Sequence, residues 1–315
     1  MASILVVDDL HPSFLNLLDR ENVLCDYQPA FDKEKTLACI ENYEGLVIRS
    51  KFKVEEDLFE KASRLKFIAR AGAGVDNIDE VAAAKHGVTL LNASEGNRDA
   101  VAEHMMGMLL NICHHLNTAD KEVRNGLWKR EENRGYELAG KTVGIIGYGN
   151  NGSAMAKRLS GFDVHVLAYD KYKKGFSDIY AQEASLKDIY EESDILSMHV
   201  PLTFETKEWV NTEFIHHFRK SFVFLMGARG GIMDMEAVTQ AIKTGKIKAA
   251  AFDVLPVERF PDLNETDWFP FLKEQENVLF SPHVAGWTFE SYEKISRVLA
   301  EKILHLKGVK GDTFF

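Results

Sequence analysis

The 315-residue chain is long enough for two domains, and its 45% hydrophobic and 27% charged residues are typical of a soluble globular protein. The formal net charge of −10 argues against nonspecific binding to nucleic acid or to anionic membranes, because both would repel it. Cys25, Cys39 and Cys113 are too widely spaced to predict a disulfide framework or a zinc site, so we expect no metal and a reducing, cytoplasmic location. We find no signal peptide and no membrane span.

The first hundred residues alternate between short apolar runs and helical patterns, which predicts a parallel sheet covered by helices on both faces. In such sheets, ligands bind beyond the carboxyl ends of the strands. Two of those ends carry Arg49 and Arg70, which favours the binding of an anion there. The predicted strands cover residues 3–8, 23–27, 46–48, 65–69 and 88–91, and the predicted helices include residues 33–43 and 78–84.

The opening run is compatible with a different fold. Residues 4–9 resemble the start of a phosphoacceptor receiver domain, in which paired acids such as Asp8 and Asp9 would hold magnesium. A receiver domain needs a further Asp at the end of its third strand, whereas the corresponding run here is followed by Arg49 and Ser50. The sequence therefore disfavours a receiver domain.

The stretch that follows residue 93 predicts a loop and then a long apolar helix. We expect the loop at residues 94–97 and the helix from Arg98 through Leu116, because apolar residues recur there at helical spacing. The apolar residues cover more than one face of the helix. We therefore expect its own domains or a second subunit to bury it, and we expect the helix to take part in a homodimer together with the Trp128 region.

Residues 141–152 have the pattern of a buried strand, a glycine-rich turn and the start of a helix. Gly147, Gly149 and Gly152 have the G-x-G-x-x-G spacing, which supplies a tight turn, a close backbone approach to phosphate and close packing of helix on strand. A second predicted strand ends in Asp170, whose carboxylate would bind an adenosine ribose. The combination predicts a dinucleotide site with the pyrophosphate at the helix N-terminus.

Four further strands would complete the six that are typical of a dinucleotide-binding sheet. A final helix over residues 290–307 is expected to begin after the N-cap Thr288 and to end before Gly308. The four strands are predicted at residues 195–200, 222–226, 249–253 and 278–280.

Three residues with complementary chemistry lie near the ends of three consecutive predicted strands. His283 could exchange the proton of a hydroxyl group, because histidine titrates near neutral pH. A carboxylate such as Glu258 would orient the imidazole and stabilise its protonated form. The fork of Arg229 suits a substrate carboxylate and could polarise a neighbouring carbonyl. The trio predicts transfer of a hydride between a nicotinamide and a 2-hydroxy acid.

Several stretches together make the chain similar to the D-isomer-specific 2-hydroxyacid dehydrogenases, and most similar to the phosphoglycerate dehydrogenases among them. The resemblance covers nearly the whole chain and implies an α/β fold with two doubly wound parallel-sheet domains. A flavodoxin-like substrate domain would cover residues 1–96 and 289–315, and a Rossmann NAD-binding domain would cover residues 97–288. The matching stretches are residues 70–79, the glycine loop, and residues 228–231, 253–258 and 281–283.

The resemblance also implies which residues bind the substrate and carry out catalysis. Arg229 would bind the substrate, Glu258 would support the histidine, and His283 would be the acid/base. Arg49 and Arg70 would help to hold the phosphate and carboxylate of the substrate, next to the loop residues Ala71 and Gly72.

NAD would be held on the Rossmann domain, with Ala73 facing the nicotinamide side. NAD is expected in preference to NADP, because the carboxylate of Asp170 would repel a 2′-phosphate. The residues expected to bind the cofactor are Ala73, Gly147, Gly149, Asn150, Asn151, Gly152, Asp170, Val200, Pro201, Gly227, Ala228, Asp253, Ala285 and Gly286.

Three residues depart from the family pattern: Met226 replaces a usual Asn, Arg259 replaces a usual Pro, and Trp287 lies near the expected active site, where it could narrow the pocket. The expected substrate is a small anionic 2-hydroxy or 2-keto acid, first of all 3-phospho-D-glycerate and 3-phosphohydroxypyruvate, a pair from serine biosynthesis. The alternatives are a hydroxypyruvate or glyoxylate reductase and an NADH-sensing corepressor. No nucleic acid or membrane partner is expected.

Overall fold

The computed structural model describes residues 3–309. They form two compact units, one made of residues 3–98 and 287–309 and the other of residues 99–286. The predicted domain bounds stay a prediction, and their ends at residues 1–2 and 310–315 lie outside the described residues.

The strands of the described residues form two sheets, and every neighbouring pair of strands is parallel. In chain order they are β1 (Ile4–Val6), β2 (Cys25–Tyr27), β3 (Gly45–Ile48), β4 (Phe67–Arg70), β5 (Thr89–Leu91), β6 (Thr142–Ile146), β7 (His165–Tyr169), β8 (Gln182–Glu183), β9 (Ile195–Met198), β10 (Phe222–Met226), β11 (Ile247–Phe252) and β12 (Val278–Phe280).

Helices cover both faces of each sheet. In chain order they are α1 (Ser13–Arg20), α2 (Lys33–Leu37), α3 (Glu56–Lys61), α4 (Glu80–Lys85), α5 (Ser94–His114), α6 (Leu116–Arg124), α7 (Asn150–Leu159), α8 (Leu186–Glu192), α9 (Thr212–His217), α10 (Met235–Lys243), α11 (Phe269–Leu272) and α12 (Phe289–Leu306).

The first unit has a five-stranded sheet in the order β2-β1-β3-β4-β5. This is the flavodoxin-like strand order. Every residue of β1 and β3 is buried, because one core packs α1 and α12 on one face and a second core packs α3 and α4 on the other. Arg49 follows β3 and Arg70 ends β4, and because these two strands are neighbours, the two arginines lie at adjacent strand ends.

The second unit has a seven-stranded sheet in the order β12-β11-β10-β9-β6-β7-β8. The six strands β8-β7-β6-β9-β10-β11 have the Rossmann order 3-2-1-4-5-6, and β12 is one additional strand next to β11. One core packs α9 and α10 against the sheet, and the other packs α5 and α7. The predicted fold class, two doubly wound parallel α/β sheets, is therefore confirmed.

The predicted loop at residues 94–97 is wrong, because α5 already begins at Ser94. Gly96 is a helical residue, and a Cβ atom on it would lie 2.6 Å from the backbone of Ile295 on α12. This glycine therefore lets two helices approach closely and is not a turn residue. Lys302 on α12 adds an ion pair with Glu95 at 2.8 Å.

The end of the same helix was also predicted wrongly. The predicted helix through Leu116 is two helices, because His115 has a φ of 52° and separates α5 from α6. The predicted helix over residues 33–43 is likewise interrupted after Leu37, and a short 3-10 turn then places Ile40 in the core. β8 was missed because its two polar residues give no hydrophobic signal.

α5 and α6 differ sharply in burial. Met105 and Leu109 on α5 are fully buried in the core of the second unit, so the apolar character of this helix needs no second subunit. α6 has no buried residue, and Val123 is 53% and the nearby Trp128 80% exposed. Within residues 3–309, we find no helix long and apolar enough to cross a membrane.

Candidate active site

His283 and Glu258 form a pair beyond the carboxyl ends of β12 and β11. These strands are neighbours in the sheet, so the loops that follow them meet. Glu258 Oε2 lies 2.9 Å from His283 Nδ1, and the two side chains are 42% and 46% exposed. If Nδ1 donates to the carboxylate, Nε2 is the nitrogen that can exchange a proton with a ligand.

The loop that carries His283 is fixed by the carboxylate of Asp253, which is only 2% exposed. Asp253 accepts a hydrogen bond from Ser281 Oγ at 2.6 Å and bonds from the backbone N–H groups of Val284 and Ala285 at 2.9 and 3.0 Å. His283 itself has a φ of 54°, which non-glycine residues adopt rarely. The bonds to Asp253 therefore hold a strained backbone that presents the imidazole.

Arg229 lies in the loop after β10, the strand next to β11. Its Nη1 donates to the carbonyl of Ala228 at 2.7 Å. Arg229, Glu258 and His283 thus come from loops that follow three adjacent strands, and a guanidinium here suits a carboxylate ligand. The role of each residue stays a prediction.

The glycine motif forms the turn between β6 and α7. Gly147 has a φ of 95°, and a Cβ atom on it would lie 2.7 Å from the backbone of His199. A Cβ atom on Gly152 would overlap the carbonyl oxygen of Gly147, so the helix can pack this closely only with glycine. Apart from its neighbours in the chain, no residue among 3–309 has an atom within 4 Å of the Cβ position of Gly149, the N-cap of α7. An open space at a helix N-terminus suits a pyrophosphate.

Asp170 follows β7 and is held in place by backbone N–H groups. It accepts bonds from the N–H groups of Tyr148 and Tyr172 at 2.9 Å and of Lys173 at 3.1 Å. A carboxylate has about four acceptor positions, so a ribose hydroxyl can still donate to Asp170. The placement of Asp170 next to the glycine turn fits a dinucleotide.

Lys171 also lies beside Asp170, and its charge would favour a 2′-phosphate if nothing opposed it. Glu205 neutralises this charge, because Glu205 Oε2 forms an ion pair with the Lys171 ammonium at 2.6 Å. Glu205 Oε2 also accepts a hydrogen bond from Tyr172 Oη at 2.9 Å. A 2′-phosphate would therefore meet two carboxylates and one paired lysine, which favours NAD over NADP.

A cavity of about 380 Å³ adjoins these residues, which is within the usual range for ligand pockets. Burial lowers the pKa of His199 to about 4, so this histidine is neutral and adds no charge to the cavity. Asn151 at the start of α7 has a buried Oδ1 with no hydrogen-bond partner among residues 3–309, an acceptor that suits a cofactor hydroxyl. The residues present therefore fit NAD. Residues that line the cavity include Gly147, Gly149, Asp170, Val200 and Pro201.

Two arginines lie side by side in the first unit. Asp8 Oδ2 accepts a hydrogen bond from the Arg49 backbone N–H at 2.6 Å, and Arg70 Nε donates to the Arg49 carbonyl at 3.1 Å. Burial lowers the pKa of the Arg49 guanidinium, but arginine remains charged at neutral pH. This edge of the first sheet therefore carries two cations.

The loop after Arg70 is held by backbone and amide hydrogen bonds. Ala71 donates its N–H to Ile48 at 2.9 Å, and the Ala73 carbonyl accepts a bond from Asn92 Nδ2 at 3.0 Å. The Arg70 guanidinium lies across Gly72, where a Cβ atom would overlap it. The expected contact of Ala73 with the nicotinamide stays a prediction.

The sequence did not lead us to His104 on α5. Its Nε2 lies 2.8 Å from Ser281 Oγ and 3.6 Å from Asp253 Oδ1, so it extends the network that supports the His283 loop. The available signal was a histidine among apolar residues on one helix.

Gly227 and Ala228 follow β10, and Gly227 packs on Met105 of α5.

Comparisons with known proteins agree with this geometry. Residues 106–285 match the family model described as D-isomer specific 2-hydroxyacid dehydrogenase, NAD binding domain. A hydroxypyruvate reductase of Thermotoga maritima is 35% identical over 304 residues, which are 96% of this chain and 98% of that protein. A D-3-phosphoglycerate dehydrogenase of Archaeoglobus fulgidus is 33% identical over 309 residues, 97% of this chain but only 58% of that protein.

The comparison with solved structures gives the same family. The crystal structure of a D-lactate dehydrogenase from Aquifex aeolicus, complexed with NAD and lactic acid, superposes with a TM-score of 0.79 at 27% identity. The alignment covers 97% of this chain and 95% of that one. The chain thus spans nearly the whole length of the Thermotoga relative but little more than half of the Archaeoglobus relative.

Proposed function

Because the chain belongs to the D-isomer-specific 2-hydroxyacid dehydrogenase family and its residues 106–285 match the family's NAD-binding domain, we propose that it interconverts a short D-2-hydroxy acid and its 2-keto acid with NAD as cofactor. The observation that carries the proposal is the contact of 2.9 Å between His283 and Glu258, next to the loop of Arg229. This arrangement can exchange a proton and bind a carboxylate, which is what the reaction requires.

Bound NADH would supply the reducing equivalent for the keto acid. During reduction His283 holds a proton at Nε2 and gives it to the carbonyl oxygen, and during oxidation the same nitrogen takes the hydroxyl proton. Glu258 on Nδ1 orients the ring and stabilises its protonated form. Arg229 binds the carboxylate and stabilises the charge that develops on the neighbouring oxygen.

The pair 3-phospho-D-glycerate and 3-phosphohydroxypyruvate is the substrate we propose, which would place the chain in serine biosynthesis. The support comes from Arg49 and Arg70, two adjacent cations at the ends of β3 and β4 in a protein of net charge −10. Two guanidiniums can share a phosphate dianion, because each offers several N–H donors in one plane.

Hydroxypyruvate reduction is the second candidate. It is favoured by the Thermotoga relative, which the chain covers over 98% of its length. A smaller acid without phosphate would need only one anion-binding arginine. An NADH-sensing corepressor is disfavoured, because a binding protein would not need the hydrogen-bonded His283 and Glu258.

NADH oxidation with four keto acids tests these proposals. Phosphohydroxypyruvate, hydroxypyruvate, glyoxylate and pyruvate are each supplied at concentrations well below and above KM. We expect the highest kcat/KM with phosphohydroxypyruvate. A higher kcat/KM with hydroxypyruvate or glyoxylate would make the second candidate the better one, and no turnover with any of the acids would contradict the enzyme proposal.

A homodimer is also proposed, but its surface differs from the one first expected. The apolar residues of α5 are used within the second unit, whereas α6 and the segment after it expose Val123, Leu127 and Trp128. Such an exposed set favours an interface between two copies. Light scattering at micromolar concentration is expected to give twice the mass of the chain, and Trp128→Glu should lower it. A single-chain mass for the unaltered protein would contradict the proposal.

The cytoplasmic location stays a prediction.

A further inference from the structure

Trp287 stacks on Arg49 within the first unit. The Cζ atom of Arg49 lies 3.7 Å from the centroid of the indole ring, well inside the roughly 6 Å limit of a cation–π contact. Tryptophan is the most favourable ring for this contact. The indole remains 46% exposed, so the stack is not simply part of a hydrophobic core.

The indole is supported by a second contact. Tyr292 meets the Trp287 ring edge-on at 5.3 Å, and the ring of His11 meets Tyr292 edge-on at 5.8 Å. Thr288 caps α12 by accepting a bond from the Ser291 N–H, so the helix that carries Tyr292 begins at Phe289, two residues after Trp287. The tryptophan is therefore placed by a helix start and a row of aromatic rings.

A stacked guanidinium differs from one that is held by hydrogen bonds. Stacking uses the face of the group, so the in-plane N–H donors keep their direction and can meet an anion. The backbone of Arg49 is fixed at the same time by Asp8, and its carbonyl by Arg70. With the backbone and the face both fixed, little side-chain freedom is left to lose when an anion binds.

We propose that Trp287 is a positioning residue that presets the Arg49 guanidinium for the anionic end of the substrate. The inference rests on the proposed function for the anionic character of the substrate, and it assigns part of the specificity to a position where the chain departs from the family pattern. Loss of the ring should weaken binding of the anion and leave the proton transfer at His283 unchanged. KM is therefore expected to rise while kcat stays nearly constant.

Three variants distinguish the effect of the aromatic face of Trp287 from the effect of its side-chain volume. Trp287→Leu keeps an apolar side chain but removes the aromatic face, and Trp287→Phe keeps a smaller aromatic face. Phe289→Leu is the matched control, because Phe289 is an aromatic residue on the same segment that is 95% exposed. We measure KM and kcat for the keto acid that the unaltered chain reduces best, together with the Kd for NADH.

We expect Trp287→Leu to raise KM by about 5- to 30-fold, Trp287→Phe to raise it less, and Phe289→Leu to leave it unchanged. The Kd for NADH and kcat should change less than about twofold in all three. In the background of Arg49→Ala, Trp287→Leu should add little, because the cation that it positions is gone. A KM within about twofold of the unaltered chain, or equal effects with and without Arg49, would overturn the inference.

The inference can be decided even if the substrate proposal fails. If no keto acid is reduced, 3-phosphoglycerate is titrated into the protein and its Kd is measured by calorimetry. Saturable binding that is weakened in both Trp287→Leu and Arg49→Ala, and kept in Phe289→Leu, supports the stack as part of an anion site. An unchanged Kd in Trp287→Leu, or no binding to the unaltered chain, overturns it.

Discussion

The two sheets hold charged side chains differently at their carboxyl ends. In the second unit, charge is balanced inside the protein, because Glu258 pairs with His283 and Asp253 accepts backbone N–H groups. In the first unit, the Arg49 guanidinium stacks on the Trp287 ring, and Arg70 Nε donates to the Arg49 carbonyl. The arrangement in the second unit suits proton exchange, and the arrangement in the first unit suits the binding of an anion.

One architecture can place residues for the two proposed tasks, proton exchange and anion binding. Both sheets are parallel and covered on both faces, and both place loop residues just beyond the strands. The residue that follows each strand then decides the chemistry, since the sheet supplies only position. Substitutions at the two edges should therefore differ in kind as well as in size.

The largest effect is expected from His283→Ala in the second unit. It removes the group that we propose exchanges the substrate proton, so kcat should fall by about 10²- to 10⁴-fold. The Kd for NADH should be unchanged, because the imidazole is assigned to the substrate and not to the adenosine side of the cofactor. Steady-state kinetics and an NADH titration measure the two quantities. A loss of less than about tenfold would mean that another group exchanges the proton.

A smaller effect, on stability, is expected from His199 of the second unit, a half-buried residue whose ring Nδ1 is buried. Burial lowers the pKa of the folded-state imidazole from the ordinary 6.5 to about 4, so the unfolded chain binds the proton first as the pH falls. The contribution of neutral His199 to the free energy of unfolding is therefore complete above about pH 6.5 and is lost as the pH falls towards 4. Between pH 7.5 and 5, the free energy of unfolding should drop by about 2 kcal/mol from this group.

Urea unfolding at both pH values measures this loss, with His199→Asn as the comparison. The variant should show a pH dependence that is shallower by about 2 kcal/mol, whatever its stability at pH 7.5. An identical pH dependence in the two proteins would show that His199 is not buried in its neutral form.

Glu258→Gln should lower kcat by about tenfold and also move the pH profile. The amide no longer stabilises the protonated imidazole, so the reduction, which needs that form, should lose activity at a lower pH than in the unaltered chain. The rate of NADH oxidation across pH 5 to 9 measures the shift. A profile that keeps its position would show that Glu258 does not act through His283.

Much of this arrangement could be predicted from local sequence. The glycine turn between β6 and α7 and the strand ends at Arg229 and His283 follow from apolar runs and glycine spacing, which are properties of neighbouring residues. Gly96 was misjudged because the reason for it lies on α12, far away in the chain. His104 and the stack of Trp287 on Arg49 were missed for the same reason, since each joins distant residues.

The most direct test of the account compares phosphohydroxypyruvate with hydroxypyruvate in Arg49→Ala and Arg70→Ala. Each arginine should contribute a charge-assisted bond to the phosphate, so each substitution is expected to lower kcat/KM for phosphohydroxypyruvate by about 10- to 100-fold. Hydroxypyruvate, which lacks the phosphate, should lose much less. If both substrates lose kcat/KM equally, the assignment of the first sheet's cations to the phosphate is contradicted.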